Sequence, residues 1–101
     1  MSERSIRDTF AAALGDGRPA SDLDGVVAEA FPDLSAFREE DDLIILAGET
    51  RRLLVRRTGP DRFRVVDTAA ASGSTNLLDA GEGTERDLDG LVEEIATFAG
   101  L

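Results

Sequence analysis

The chain has 101 residues, enough for one domain with a real core and no need of a disulfide or metal staple. It carries 21 acids against 11 bases, a formal net charge of −10, and such a surface repels anionic lipids and nucleic acid unless a local patch reverses the field. His, Cys, Lys, Tyr, Trp and Gln are absent, which removes Ser–His and Cys–His nucleophile pairs, ordinary zinc sites, Schiff-base lysines and the lysine of a phosphate-binding loop.

The elements follow in chain order. Residues 3–14 read as a helix, because Ile6, Phe10, Ala13 and Leu14 share one face. Ser2 or Ser5 suits its start and Gly15 its end. Gly15–Ala20 reads as a turn, and Ser21 as the cap of a second helix with the stripe Leu23, Val26, Val27, Ala30 and Phe31, stopped by Pro32. Residues 33–42 are ambiguous; a short extended piece around Phe37, followed by an acidic turn, fits them.

Three strands follow with clear punctuation. Leu43–Ala47 is a continuous apolar run suited to a central strand. Arg51–Thr58 and Arg62–Thr68 are separated by the turn Gly59-Pro60-Asp61. Residues 69–83 are small and polar, a long loop within which Leu77 and Leu78 suggest a short edge strand. Thr84 reads as the cap of a last helix with the stripe Leu88, Leu91, Val92, Ile95, Phe98 and Ala99, ended by Gly100. The expected fold is a single α+β domain over 1–101, in the order α-α-β-β-β-(β)-α. It is an antiparallel meander with the helices on one face and the other face open to solvent or a partner.

Two short segments resemble known motifs. Asp22-Leu23-Asp24-Gly25-Val26 resembles the nucleophile motif of haloacid-dehalogenase-type phosphatases over five residues. That resemblance implies a phosphoryl-attacking Asp22 and a proton-handling Asp24 just past a buried strand. The preceding Gly15–Ser21 does not read as a strand, and Ser21-x-x-Asp24 is equally a variant of a capping box. The segment recurs as Asp87-Leu88-Asp89-Gly90-Leu91-Val92-Glu93-Glu94, where Thr84-x-x-Asp87 offers the same cap. Leu77-Leu78-Asp79-Ala80-Gly81-Glu82-Gly83-Thr84 resembles the first motif of class I methyltransferases, which implies a backbone approach to S-adenosylmethionine. Here Glu85 stands where a third glycine is usual, and 17 residues follow Thr84, too few for the adenosine-binding half of that fold. A loop leading into a helix cap accounts for the same residues, so no cofactor is expected.

The arginines are unevenly placed. Arg51, Arg52, Arg56, Arg57, Arg62 and Arg64 put six of the 11 bases within residues 51–64, against the single acid Asp61. That stretch carries a formal +5 and the remainder −15. Strand alternation sets Arg52, Arg56 and one of Arg62 or Arg64 on one face, with Arg51 and Arg57 on the other or near strand ends. Two readings follow: internal pairing with neighbouring carboxylates, or a basic face for an anionic partner, to which the planar guanidinium is suited. The only aromatics are five phenylalanines, of which Phe63 alone falls among these arginines, too few for a base-stacking platform.

The acid excess and absent lysine fit a halophile's cytoplasm of high salt, with GC codon bias alone as the alternative. The N-terminal MSERSIRDTF lacks the basic region and apolar core of a signal peptide, and the longest apolar run is far too short to span a bilayer. The reading reached is a non-enzymatic protein-interaction module, cytoplasmic and without a membrane role, that uses the exposed sheet face and the 69–83 loop and whose partner is another acidic protein or a second copy. A nucleic-acid contact through the arginine hairpin 51–64 is the first alternative. A carboxylate-based, Mg²⁺-dependent enzyme is the second.

Overall fold

The computed structural model describes residues 3–15, 17–48, 51–69 and 83–100. Helix α1 spans Glu3–Leu14. Its buried side chains Ile6, Phe10 and Leu14 recur every four residues, the period that keeps one face toward the core. Gly15 follows with φ +48, a left-handed conformation that ends the helix at no steric cost to glycine.

The next helical segment differs from the sequence expectation. Ser21 does not cap it. Pro19 leads into a 3-10 helix, Ala20–Leu23, which runs on into α2, Asp24–Ala30, and neither carries a side-chain cap. The fixed φ of Pro19, −72, starts the turn before Ser21 is reached, so Ser21 lies inside it. Its side chain is 1% exposed, and its backbone N–H donates to the carbonyl of Asp41 at 3.2 Å.

Five strands follow: β1 Leu34–Glu39, β2 Asp42–Ala47, β3 Arg51–Gly59, β4 Arg62–Ala69 and β5 Thr84–Arg86. They form one antiparallel sheet in sequence order. The ambiguous stretch around Phe37 is therefore a full edge strand. Its acidic turn is the two residues Glu40 and Asp41, with Glu40 at φ 56. The strand suggested at Leu77 and Leu78, with most of the 69–83 loop, lies outside the described residues.

Thr84 is the second correction. It begins β5 rather than capping a helix, and pairs with Val65. The last helix, α3, spans Leu88–Phe98 and is capped by Asp87, whose carboxylate accepts from the N–H of Gly90 at 2.7 Å. Gly83, just before β5, has φ +102, and a Cβ there would lie 2.4 Å from the Val65 carbonyl oxygen. Close approach of this turn to β4 is thus possible only for glycine.

All the helices pack on one face of the sheet. Leu43, Ile45, Leu53, Val55, Phe63 and Val65 meet Phe10, Leu23, Val27, Leu91 and Ile95 in one buried cluster. Arg7 of α1 bonds Asp89 of α3, and that hydrogen bond raises the pKa of Arg7 further above its ordinary value. The architecture is the α+β antiparallel meander expected from the sequence, with two strands, β1 and β5, at its edges.

Candidate interaction face

Strand alternation leaves the second set of sheet side chains facing away from the helices. The register aligns four of them in a row: Phe37 opposite Ile44, Ile44 opposite Leu54, Leu54 opposite Val66. This apolar row crosses four strands. Leu54 is 0% exposed and Val66 8%, Ile44 is half-buried, and Phe37 on the edge strand is 50% exposed. The row is therefore closed toward β4 and open toward β1. Phe37 is the exposed large hydrophobic among the described residues.

A charged row runs beside the apolar one. Asp42, Arg56, Arg64 and Glu85 stand on β2, β3, β4 and β5, with Arg56 directly opposite Arg64 and Arg64 opposite Glu85. Arg56 donates from Nε and a terminal nitrogen to the two oxygens of Asp42, at 2.8 and 2.7 Å, a bidentate fork on a buried carboxylate. Arg64 and Arg62 both donate to Glu85, at 3.2 and 3.0 Å. The acids at either end thus neutralise the two arginines that face each other in the middle.

The other hairpin arginines divide by position. Arg52 is on the outer face opposite Leu46 and is half-buried. Arg51 is on the helix side, bonded to Asp67 at 2.6 Å, with its guanidinium carbon 4.8 Å from the Phe98 ring centroid. Arg57 binds backbone: its nitrogens donate to the carbonyls of Arg18 at 2.8 Å, Pro60 at 2.7 Å, Gly59 at 3.1 Å and Leu14 at 3.4 Å. It satisfies carbonyls left by the end of α1 and the β3–β4 turn. The six arginines that the sequence groups together therefore form no single basic surface. The fold brings Arg52, Arg56 and Arg64 to the outer face and sends Arg51 and Arg57 to the helix side.

The residues that sequence reasoning missed are Phe37, Ile44, Leu54 and Val66. Their signal lies in consecutive apolar pairs. Leu53-Leu54-Val55 and Val65-Val66 place apolar groups on both faces of a strand, which a one-sided sheet does not need.

A cleft of ≈ 340 Å³ lies on the helix side, between α3 and the β3–β4 pair. Arg51, Asp67, Arg86 and Glu94 line it. Arg51 holds Asp67, and Arg86 holds Glu94 at 3.3 Å, so those four charges are paired across its walls, and Glu93 adds a further carboxylate. No group of three or more acidic side chains placed to hold a metal ion is found among the described residues. Asp22 and Asp24 sit at the junction of the 3-10 helix and α2, not past a strand. Asp22 accepts from Arg38 and, at 3.2 Å, from Arg18, and Asp24 from the N–H of Gly25 at 2.8 Å. No described helix is long and apolar enough to cross a membrane. Neither protein-family models, curated proteins nor solved structures provide a match to this chain.

Proposed function

We propose that this domain is a non-enzymatic protein-interaction module that works through the outer face of its sheet at the β1 side. The observation that carries the reading is the apolar row ending in Phe37. A large aromatic half open to water, continuous with buried apolar neighbours and set on an edge strand, is a contact anchor rather than a scattered surface residue. The inventory of side chains agrees, since without His, Cys or Lys the common nucleophiles and bases are missing. The acidic, lysine-free composition supports a cytoplasmic setting of high salt, where screening lets acidic partners approach.

The nucleic-acid reading draws on the hairpin arginines. Four of the six, Arg51, Arg56, Arg62 and Arg64, already hold carboxylates, so a phosphate backbone would have to displace them. The interaction reading is tested by comparing two variants in pull-downs from the native lysate at its own salt. Phe37→Asp is expected to lose the captured partners while folding normally. The outer-face triple variant Arg52→Ser, Arg56→Ser, Arg64→Ser is expected to lose stability first. Full retention of every partner by Phe37→Asp would remove this face from function.

A further inference from the structure

We propose that the partner at the β1 edge is a second copy of this chain, paired antiparallel about Phe37 so that the two sheets join into one. This rests on the interaction reading above and names its partner.

The argument begins at the β1–β2 turn. A two-residue turn, Glu40-Asp41, makes its flanking pair Glu39 and Asp42 a hydrogen-bonded pair. Hydrogen-bonded and non-hydrogen-bonded pairs alternate along an antiparallel ladder, so Phe37 also bonds toward β2. Ala36 and Arg38 then turn their N–H and C=O groups outward, to the edge that no described strand occupies. An edge of this kind is a template for another strand.

A second β1 fits this template in a register that is self-complementary. With a two-fold axis through Phe37, Ala36 of each copy faces Arg38 of the other, and those are the residues with outward backbone groups. Four hydrogen bonds then close the join, and the contact is isologous, the commonest symmetry of homodimers. Phe37 meets its twin in a non-hydrogen-bonded pair, the arrangement in which side chains come closest and aromatic pairs gain most. The apolar row then runs unbroken across both sheets, and its open end is closed. On the same face Ser35 lies opposite Glu39 of the twin, a hydroxyl donor against a carboxylate.

Neighbouring registers do not fit. Shifting the axis to Arg38 sets two arginines opposite each other and Phe37 against Glu39. Shifting it to Ala36 sets Phe37 against Ser35. The chosen register is the one that pairs the aromatic side chains and opposes no like charges across the strands. A join of two six-residue strands is smaller than a standard interface, so the dimer is concentration-dependent. Two chains of net −10 also repel, so it tightens as salt rises.

The sequence supplies a clean probe, because the chain has no cysteine. Phe37→Cys and Ser35→Cys are prepared as full chains, checked for native circular dichroism, and oxidised mildly in about 1 M KCl, where repulsion is screened. In the proposed register the two Phe37→Cys thiols face each other, while the Ser35→Cys thiols lie several residues apart. Disulfide-linked dimer is expected from Phe37→Cys at a rate about tenfold or more above that of Ser35→Cys. Sedimentation of the unmodified chain is expected to show a monomer–dimer equilibrium that Phe37→Asp abolishes. Faster linkage of Ser35→Cys, or equal rates with a monomer at every concentration, overturns the second copy. In the latter case, loss of captured partners by Phe37→Asp would still uphold the interaction reading with a different protein.

Discussion

Glu40 shows how a single residue can carry strain that its neighbours impose. It is the one non-glycine residue with positive φ among those described, at 56, and it opens a two-residue hairpin turn. An L side chain in the left-handed region costs roughly 1–2 kcal/mol. Glycine would remove that cost but lose more entropy on folding, by about 0.5–1 kcal/mol. Glu40→Gly is therefore expected to raise unfolding stability by about 0.5–1 kcal/mol in urea titrations. Glu40→Ala is the control, because it removes the same charge from the acidic turn and keeps the strain. Equal gains from both variants would assign the effect to charge and refute the backbone account. Arg57 is the converse case, a residue whose charge reads as surface chemistry but whose contacts are structural. Its guanidinium is satisfied by backbone carbonyls from two separate segments, which ties the end of α1 to the β3–β4 turn.

Among the elements, the weakest by local content is β5, three exposed residues with no apolar side chain. It is held by its pairing to Phe63, Arg64 and Val65 and by Glu85, which two arginines share. The cap of α3 belongs to Asp87, so Asp87→Ala is expected to cost about 1 kcal/mol, whereas Thr84→Ala costs a few tenths. The reverse ranking in thermal melts would return the cap to Thr84. The charged row gives a second contrast. Asp42 is buried and holds Arg56 bidentately, so Asp42→Asn is expected to cost about 2–3 kcal/mol. Asp67 is about half exposed, and Asp67→Asn is expected to cost less than about 1 kcal/mol despite its shorter contact with Arg51. Equal losses would mean that burial does not govern these pairs. These cases also mark what the sequence conveys. The three helices were legible because their apolar spacing has period 3.6, and the central strands because apolar runs stand between clear turn signals. Thr84–Arg86 was not, since Thr-x-x-Asp reads as a cap whenever no strand is there to claim the threonine, and that strand is fixed by distant residues of β4. Ser21 failed for a local reason, because Pro19 starts the turn two residues earlier. At the candidate face, the arginines were visible as a cluster, but their carboxylate partners are brought in by register. The apolar row was legible only as doubled apolar residues, and reading it required the strand pairing.

At the scale of the whole molecule, the net charge of −10 is spread over a body of 32 × 27 × 20 Å. In about 0.01 M salt the screening length is about 30 Å, so every acid repels every other across the full width. At about 0.1 M it falls to about 10 Å and the repulsion becomes local, while the arginine–carboxylate contacts at 2.6–3.3 Å are screened far less. Raising salt therefore removes more repulsion than attraction. The melting temperature in KCl is expected to climb steeply up to about 0.3 M for this reason alone. Beyond about 1 M, where the screening length is about 3 Å, simple screening has nothing further to give. A chain whose acids are an adaptation to salt should keep gaining there, because its carboxylates hold water and cations that ordinary surfaces do not. A chain that is acidic through codon bias should level off. Melting curves from dilute buffer to about 3 M KCl separate the two, since a continued rise past 1 M is expected only of the adapted surface. A flat or falling melting temperature across the whole range would mean that repulsion between the excess carboxylates is not limiting, and would leave codon bias as the cause of the composition.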